Sequence, residues 1–334
     1  MKTLLVELSE QCNLDCSYCG VNKRSKQKVN LDHVLEQYSL LRSKYPDEKI
    51  KIDFFGGEPL LQLDRIKSII EATENDPNLE YFMPTNGLVL TQEMADYLIS
   101  KNVRMSLSFD GLWQDDNRKQ LSGNGTLTKY MAKSDLFKSL PLECHTMITR
   151  GNYNLLENHL FIQDLIGKNS DQTLVRDRNI WDNDSVDKLK AGITELFEWY
   201  KRHPEKEMPG LIKHYLSHIV RYKYKKVELN TCGAGEKMIT VADEDKVLPC
   251  GRFRNEPDTI ASIPIYTKMS ECETCEVRHY CKKGCLYEQI HNGGPIKELC
   301  DIYKHIYSEE FNMIKQLKND QHFVGVLKKE IMDA

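Results

Sequence analysis

The sequence predicts an α/β fold from the order of its segments and from its composition. In the first half of the chain, short strand-like segments rich in apolar and β-branched residues alternate with helix-length segments. Of the 334 residues, 40% are hydrophobic and 29% are charged, as in ordinary globular proteins. Strands that alternate with helices indicate parallel β/α units. About six such units are too few for an eight-stranded barrel, which leaves a partial barrel or a doubly wound sheet.

The individual elements follow from apolar runs and helix-start signals. The predicted strands are "TLLVEL" from Thr3, "KIKIDFF" from Lys49, "LEYFM" from Leu79, "VRMSLSF" from Val103, "HTMIT" from His145 and, more weakly, "QTLVR" from Gln172. Between them, amphipathic helices are predicted to begin after Asn30, Thr91 and Asn154. Asn154 and Glu157 have the spacing of a capping box.

The composition also limits the partners and the location. The net charge of -4 argues against bulk attraction to nucleic acid or to anionic lipid. Apolar runs are short, and the first residues lack the pattern of a signal peptide. We therefore expect a cytoplasmic protein without a nucleic-acid partner or membrane contact.

Eleven cysteines are unusual for such a chain. In a reducing compartment, cysteines are more often metal ligands or catalytic groups than disulfides. Cys12, Cys16 and Cys19 form one group, and seven more lie between Cys232 and Cys300. Cys144 stands alone and is predicted to be a small buried side chain. The two groups predict metal sites.

The unusual loops follow consecutive predicted strands. The three-cysteine loop comes after the first strand, and "GGEP" (Gly56 to Pro59) comes after the second. "PTNG" (Pro84 to Gly87) follows the third strand, and "DG" (Asp110 and Gly111) follows the fourth. In both candidate folds, ligands gather at the carboxyl ends of the strands. We therefore expect these loops to meet in a single site.

The first cysteine group has the residues for an iron–sulfur cluster with one open iron. A cubane cluster usually takes four thiolates, so Cys12, Cys16 and Cys19 leave one iron without a protein ligand. That iron can bind a small molecule and transfer an electron to it. A structural zinc site would instead close with four protein ligands, and no histidine lies nearby.

The second half of the chain is predicted to be helical, then cysteine-rich, then helical again. The basic run "RYKYKK" (Arg221 to Lys226) is interpreted as a solvated helix end rather than a nucleic-acid patch. Beyond it, Cys272-x2-Cys275-x5-Cys281-x3-Cys285 does not have the spacing of a zinc ribbon. From the residues alone, the seven cysteines of this region are compatible with one or two zinc ions or with one or two iron–sulfur clusters.

On these motifs the chain resembles the radical S-adenosylmethionine (radical SAM) enzymes. The CxxxCxxC loop, "GGEP", "TNG", and "SLSFDG" followed by "QDDNR" and "GNGT" occur in the order typical of that family, with Gln114 in place of the usual His. The resemblance implies a partial (β/α)6 TIM-like barrel in which the three N-terminal cysteines hold a 4Fe–4S cluster. It also implies that S-adenosylmethionine is bound by Tyr18, Gly56, Gly57, Glu58, Pro59, Asn86 and Ser108.

The C-terminal cysteines resemble the SPASM extension of the same family, which carries two auxiliary 4Fe–4S clusters. "KVLPC" ending at Cys250 and "CKKGC" from Cys281 match its flanking residues, although Asp245 replaces a usual Gly. The resemblance implies that the outer cluster is held by Cys272, Cys275, Cys281 and Cys300, and the inner cluster by Cys232, Cys250 and Cys285. The inner cluster then lacks a fourth thiolate, so either another group fills the position or its iron is open.

These assignments predict four segments. Residues 1–184 are the partial barrel, 185–228 a helical bridge, 229–310 a small iron–sulfur SPASM domain, and 311–334 a C-terminal helix.

The resemblance also implies a reaction. Reductive cleavage of S-adenosylmethionine would give a 5′-deoxyadenosyl radical that abstracts a hydrogen atom from a peptide or protein substrate. Maturation of ribosomal peptides by thioether or C–C cross-linking is favoured, and an external electron donor is needed. Many relatives carry an N-terminal leader-binding domain, whereas this chain enters its first strand almost at once. A peptide substrate would then be recognised by the bridge helices, by the barrel mouth or by a separate leader-binding partner.

Two alternatives remain open, and no catalytic residue is assigned. Anaerobic sulfatase-maturating enzymes form formylglycine and have Asp directly after the second SPASM cysteine, where this chain has Gly251. A non-enzymatic iron–sulfur electron carrier would have no need of the "GGEP", "TNG" and "DG" loops. Asp110 and Glu7 lie near the expected site, but neither is assigned as the proton acceptor.

Overall fold

The computed structural model describes residues 1–21, 23, 27–177, 179–226, 233–242, 246–254, 270–282, 284–292 and 294–333, and it confirms the α/β class. The strands are β1 (Lys2–Glu7), β2 (Leu14–Cys16), β3 (Ile50–Phe55), β4 (Leu79–Thr85), β5 (Val103–Ser108), β6 (Arg118–Gln120), β7 (Glu143–Ile148), β8 (Ser170–Leu174), β9 (Met238–Val241) and β10 (Val247–Leu248). Each of the strands predicted from the sequence is present, as β1, β3, β4, β5, β7 and β8.

The helices alternate with the strands in the first half of the chain and dominate the second. They are α1 (Leu31–Lys44), α2 (Leu63–Thr73), α3 (Gln92–Ser100), α4 (Gln114–Asn117), α5 (Leu127–Ala132), α6 (Ser134–Ser139), α7 (Leu155–Ile166), α8 (Asn183–Arg202), α9 (Gly210–Lys225), α10 (Ser270–Glu273), α11 (Leu286–Asn292), α12 (Lys297–Leu317) and α13 (Gln321–Asp333). Short 3₁₀ turns occur at Pro59–Gln62, Gly111–Trp113 and Gly251–Phe253.

The chain divides into two compact units. The first unit comprises residues 1–110, 114–144 and 233–265, and the second comprises residues 111–113, 145–232 and 266–334. Both units are discontinuous in sequence. The predicted segment boundaries, which were drawn from motifs, stay predictions.

The first unit contains a mostly parallel sheet with the strand order β10-β9-β1-β3-β4-β5. β1 pairs in parallel with β3 on one side and with β9 on the other, and β10 joins β9 antiparallel. The sequence analysis missed β9 and β10, because two short strands beside a cysteine give only a weak periodic signal. Parallel pairing brings the carboxyl ends of β1, β3, β4 and β5 to the same edge of the sheet.

Apolar side chains at alternate positions fix the register of this sheet. Leu4 and Val6 in β1 are fully buried, as are Ile50, Ile52 and Phe54 in β3. Because side chains alternate between the faces of a strand, a slip of one residue would move these side chains out of the core. The register therefore determines which residues end each strand and begin each loop.

The second unit is built on packed helices. α8, α9 and α12 share one apolar core, with Leu189, Leu196, Leu216, Ile302 and Ile306 essentially inaccessible to solvent. α7 packs against α8, and α13 packs against α9. β8 contacts α9 in the same unit, and the backbone N–H of Val175 donates to the carbonyl of Ile148 in β7.

All three predicted helix starts are confirmed, because α1, α3 and α7 begin directly after Asn30, Thr91 and Asn154. The Asn30 side chain accepts a hydrogen bond from the Asp32 backbone, and that of Thr91 accepts one from Met94. The predicted capping box at Asn154 is wrong, because the Asn154 side chain makes no cap hydrogen bond. Its amide instead donates to Glu157, and its Oδ1 accepts from the indole of Trp113 at 2.8 Å.

Two helices form the described end of the chain, and the predicted boundary at residue 311 stays a prediction. α12 begins at Lys297, well before residue 311, and α13 follows after a short break. The basic run from Arg221 to Lys226 closes α9, and its Arg and Lys side chains are exposed, as the sequence predicted. Among the described residues, no helix combines the length and apolar character needed to cross a membrane.

Candidate active site and cysteine cavity

The predicted loops converge on one pocket in the first unit. This loop pocket has a volume of about 180 Å³ and is lined by Cys12, Cys16, Tyr18, Cys19, Gly56, Gly57, Glu58, Pro59, Asn86 and Ser108, together with Lys23, Arg118 and others. The lining includes the N-terminal cysteines and all the residues predicted to bind S-adenosylmethionine. They come together because each follows the carboxyl end of a neighbouring parallel strand.

Backbone hydrogen bonds attach the cysteine loop to "GGEP". The amide of Gly57 donates to the carbonyl of Ser9 at 2.8 Å, and that of Glu58 donates to Gln11 at 2.9 Å. The approach is too close for a side chain, because a Cβ on Gly57 would lie 2.2 Å from the Gln11 carbonyl oxygen. Gly56 has φ of 130°, which only glycine adopts readily. Both glycines are therefore required by the contact with the cysteine loop.

Glu58 is buried and stabilises the loops. One carboxylate oxygen accepts from the Leu60 amide at 3.1 Å and from the Thr85 hydroxyl at 2.6 Å. The other accepts from the Asn86 amide at 2.8 Å. Burial raises the pKa of Glu58. Because these donors engage both carboxylate oxygens, Glu58 is paired with the loops around it.

Tyr130 braces the third and fourth loops from beneath the pocket. Its hydroxyl donates to the backbone carbonyls of Asn86 at 2.6 Å and Ser108 at 3.1 Å, and its ring stacks on Phe109. Asn86 in turn donates from its side chain to Asn13 in the cysteine loop at 2.7 Å. The sequence analysis missed Tyr130, which is an ordinary helical aromatic residue outside the motifs.

A two-stranded antiparallel ribbon holds the cysteine loop on its other side. β2 pairs with β6 so that Cys16 is opposite Arg118. The Ser17 amide also donates to the carbonyl of Asn117 at 2.9 Å. Three-residue strands carry little periodic signal, so the ribbon was not predicted.

Arg118 forms a buried ion pair beside the cysteines. Its Nε lies 3.0 Å from Oδ2 of Asp110, and both side chains are almost inaccessible to solvent. The hydroxyl of Tyr18 donates to the same carboxylate at 2.9 Å, while the guanidinium lies over the Tyr18 ring. Burial alone would lower the pKa of Arg118, but the charge of Asp110 keeps this pKa well above its usual value. Arg118 is the Arg of "QDDNR", so the motif contained the signal, but the sequence analysis assigned it no role.

Gln114, the departure from the family pattern, braces the "DG" loop. Its side-chain oxygen accepts from the Asp110 amide at 2.9 Å, and its nitrogen donates to the Thr126 hydroxyl at 2.9 Å. The side chain is fully buried. Gln114 therefore supplies both an acceptor and a donor at this position.

The thiols of the loop pocket are chemically suited to a metal cluster. Burial raises the pKa of Cys12 to about 11, and it also raises the pKa of Cys16 against the opposing effect of Arg118. Cys19 is exposed. Because thiolates are the metal-binding form, the iron ions of a bound cluster would have to keep these thiols deprotonated against the effect of burial.

A second site, the cysteine cavity, lies in the second unit. Its volume is about 720 Å³, and its lining includes Cys272, Cys275, Cys281, Cys285 and Cys300. Burial, together with the charges of Cys281, Cys272 and Cys275, raises the pKa of Cys300 to about 12. These four thiols are therefore electrostatic neighbours. They are also the set that the SPASM resemblance assigns to the outer cluster.

The remaining predicted ligands are not brought together within one unit. Cys250 belongs to the first unit and Cys285 to the second, and Cys232 lies outside the described residues. The three-thiolate inner set stays a prediction. Among the described residues, no three His, Cys, Asp or Glu side chains converge on a single ion position. A cubane cluster binds each thiolate at a different iron, so its ligands surround a cavity instead of meeting at a point.

Glu7 lies beside the Cys250 turn. Arg254 bridges the carboxylates of Glu7 and Glu10, so it links this turn to the end of β1 and the cysteine loop. A Cβ on Gly251 would lie 2.1 Å from Oε1 of Glu7. The turn therefore has no room for a side chain at position 251.

Cys144, expected to be a structural residue, is 3% exposed in β7.

The chain is similar in sequence to several known proteins. Residues 6–157 match the model of the Radical SAM superfamily. The radical SAM cyclopropyl synthase TigE from Paramaledivibacter caminithermalis is 22% identical over 352 residues, covering 91% of this chain and 72% of TigE. An uncharacterized protein of Methanocaldococcus jannaschii is 27% identical over 50% of this chain and 59% of its own length. A cysteine-type anaerobic sulfatase-maturating enzyme of Clostridium perfringens is 28% identical over 43% of this chain and 42% of its own length.

Two solved structures share the fold. The structure of anSMEcpe with bound AdoMet has a TM-score of 0.75 at 18% identity, covering 95% of this chain and 99% of that one; the same protein has been solved with a Cp18Cys peptide. SuiB of Streptococcus suis bound to the precursor peptide SuiA has a TM-score of 0.55 at 16% identity, covering 86% of this chain and 72% of that one. A radical SAM domain implies S-adenosylmethionine and one 4Fe–4S cluster. Residues 6–157 of this chain therefore form a radical SAM domain.

Proposed function

We propose that this chain is a radical SAM peptide or protein maturase with three 4Fe–4S clusters. One cluster is bound in the loop pocket by Cys12, Cys16 and Cys19, and two auxiliary clusters are bound by the C-terminal cysteines. The observation that carries the proposal is the loop pocket, where three thiols on one loop meet "GGEP", Asn86 and Ser108 at one sheet edge. When reduced, the cluster in this pocket supplies the electron that cleaves S-adenosylmethionine to a 5′-deoxyadenosyl radical.

The protein's own residues bind and orient the cofactors. Gly56 and Gly57 let the "GGEP" backbone contact the cysteine loop because they have no side chains, and Glu58 keeps that loop in place through its buried hydrogen bonds. Asn86, Ser108 and the Tyr18 ring complete the binding surface for S-adenosylmethionine. Arg118 stabilises negative charge on the cysteine loop. A rigid pocket of this kind orients the ligand without reorganisation.

A peptide or protein is the substrate class best supported. anSMEcpe and SuiB, which share the fold, have been solved with bound peptides, and TigE aligns over most of this chain. Ribosomal-peptide maturation by thioether or C–C cross-linking fits these relatives. The reaction needs an external electron donor, and a separate partner would hold the leader of the peptide.

Formylglycine formation is the less favoured candidate. The sulfatase-maturating branch has Asp after the second SPASM cysteine, whereas a side chain at Gly251 would overlap the Glu7 carboxylate. Glu7 and Gly251 thus form a local arrangement different from that branch. An electron carrier is less favoured still, because it has no need of a loop pocket.

The proposal is tested by the formation of 5′-deoxyadenosine. Wild-type protein, reconstituted without oxygen and mixed with S-adenosylmethionine and dithionite, should form this product, whereas the C12A/C16A/C19A variant should not. Iron analysis of the variant is the control, because the C-terminal clusters should remain. Product formed equally by both proteins, or by neither with iron fully loaded and candidate peptides present, would contradict the proposal.

A further inference from the structure

A cation at the wall of the cysteine cavity has no part in the function proposed above. Arg176 follows β8 directly and lines the cysteine cavity together with Tyr303. It also lines a small adjacent cavity with Tyr215 and Lys282. The arginine therefore lies between the cysteines and a group of buried tyrosine and basic side chains.

The backbone that carries Arg176 is held in place. The Val175 amide donates to Ile148 at 2.9 Å, and the Val175 carbonyl accepts from the indole of Trp181 at 2.8 Å. Trp181 is itself buried in the apolar core of the second unit. The backbone at Arg176 is therefore fixed beside the cavity that this residue lines.

Arg176 keeps its positive charge in these surroundings. Burial alone would lower its pKa, but Tyr303, Cys285 and Tyr215 raise the pKa of Arg176 above the usual value. Tyr303 is 8% exposed and lies one turn from Cys300 on α12. The same helix thus carries one thiol and the tyrosine beside the arginine.

The opposite charge is also present in the lining. Glu288 on α11 is 8% exposed and lines the same cavity. The other charged side chains of the lining include Lys297 and Lys304, which are exposed to solvent. Water screens exposed charges, so the charges of the less exposed Arg176 and Glu288 are screened less than that of Lys297. Lys304 also acts on this site, because its charge lowers the pKa of Cys300.

We propose that Arg176 is a positioning residue that raises the reduction potential of the iron–sulfur cluster held in the cysteine cavity. Reduction adds one electron to a cluster that is already negative with its thiolates, and a nearby cation in a poorly solvated site stabilises the reduced form more than the oxidised form. The inference rests on the proposed function, because it requires a cluster at these cysteines. It gives this auxiliary cluster a built-in tendency to accept an electron.

The test is a redox titration that needs no substrate. The background carries C12A/C16A/C19A, which removes the loop-pocket cluster, and C232A/C250A, which removes two predicted ligands of the inner cluster. EPR then follows the reduction of the remaining cluster. In this background R176Q should lower the midpoint potential, R176K should keep most of the original value, and E288Q should raise it. K297Q, an exposed change in the same lining, is the matched control and should leave the potential unchanged.

The outcomes separate this inference from the proposed function. If the background protein holds no iron and shows no cluster signal, the proposed function fails and the inference fails with it. If the cluster is present, an unchanged or higher potential in R176Q, or an equal fall in R176K, overturns the inference alone. If R176Q holds less iron than its background, R176M takes its place. It removes the charge but keeps an apolar side chain at this position, so it should lower the potential, and an unchanged value would contradict the inference.

Discussion

The loop pocket and the cysteine cavity both gather cysteines, but different parts of the structure hold them. The loop pocket is organised by a parallel sheet, with hydrogen bonds from Gly57, Glu58 and Asn86 joining its loops. In the cysteine cavity, Cys272 to Cys285 lie on one short helix, α10, and on turns, and only Cys300 belongs to a long helix. The difference indicates that the sheet shapes the first site before any metal binds, whereas the second site would depend more on the metal proposed for it.

The largest expected effect is the difference between the two sites in their response to removal of iron. Chelation under reducing conditions should cause a large loss of amide hydrogen-exchange protection from residue 270 to Cys300, because metal binding there contributes to folding. β1, β3, β4 and β5 should keep their protection. Hydrogen exchange followed by mass spectrometry measures both regions in one sample. Equal loss of protection in both would contradict the proposed difference between the two sites.

The next effect concerns the buried ion pair of the loop pocket. R118M leaves the Asp110 carboxylate buried without its cation, so we expect a loss of about 3–5 kcal/mol in unfolding free energy. R104M is the matched control, because Arg104 pairs with Glu143 with both side chains more than half exposed. It should cost at most about 1 kcal/mol. Denaturant unfolding of the two reconstituted variants measures both losses. Equal losses would mean that the buried Arg118–Asp110 pair contributes no more to stability than the exposed Arg104–Glu143 pair.

A pH effect is expected in the second unit. His159 is 1% exposed, neither ring nitrogen has a hydrogen-bond partner among the described residues, and burial lowers its pKa to about 4. The folded state therefore binds this proton less readily than the unfolded state, whose pKa is about 6.5. The contribution of His159 to the free energy of unfolding is complete above a pH of about 6.5. It falls by about 3 kcal/mol as the pH drops to about 4.

The H159L variant isolates that contribution. It should flatten the dependence of unfolding free energy on pH between these two values, whereas H203Q, at a half-exposed histidine of the same unit, is the control. His218, whose pKa burial lowers to about 2, would continue to contribute in both variants. A wild-type slope retained in H159L would show that His159 is not the group responsible.

The smallest expected effect tests whether Gly57 is needed for the contact between the two loops. G57A would press a methyl group against the Glu10 and Gln11 carbonyls, and we expect affinity for S-adenosylmethionine to fall about tenfold or more as the loops separate. G20A is the matched control, because no atom lies within 4 Å of its added Cβ. Isothermal titration of the iron-loaded proteins gives both affinities. Equal affinity in G57A and wild type would show that the two loops need not touch.

The parts that sequence could predict are those with local signals. Each predicted strand and the meeting of the loops at one edge follow from apolar runs and from the geometry of parallel sheets. The β2–β6 ribbon and the role of Tyr130 depend on contacts between distant segments, for which no local pattern exists. The Asn154 capping box failed for a similar reason, because Trp113, distant in sequence, donates to the Asn154 side chain.

The central claim is that S-adenosylmethionine binds the cluster of the loop pocket and no other. EPR of the reduced protein with and without S-adenosylmethionine tests it directly. The account predicts that S-adenosylmethionine changes one cluster signal in the wild type. This signal should be missing from C12A/C16A/C19A, and the other cluster signals should stay unchanged in that variant. A ligand-dependent change that persists in the triple variant would contradict the account.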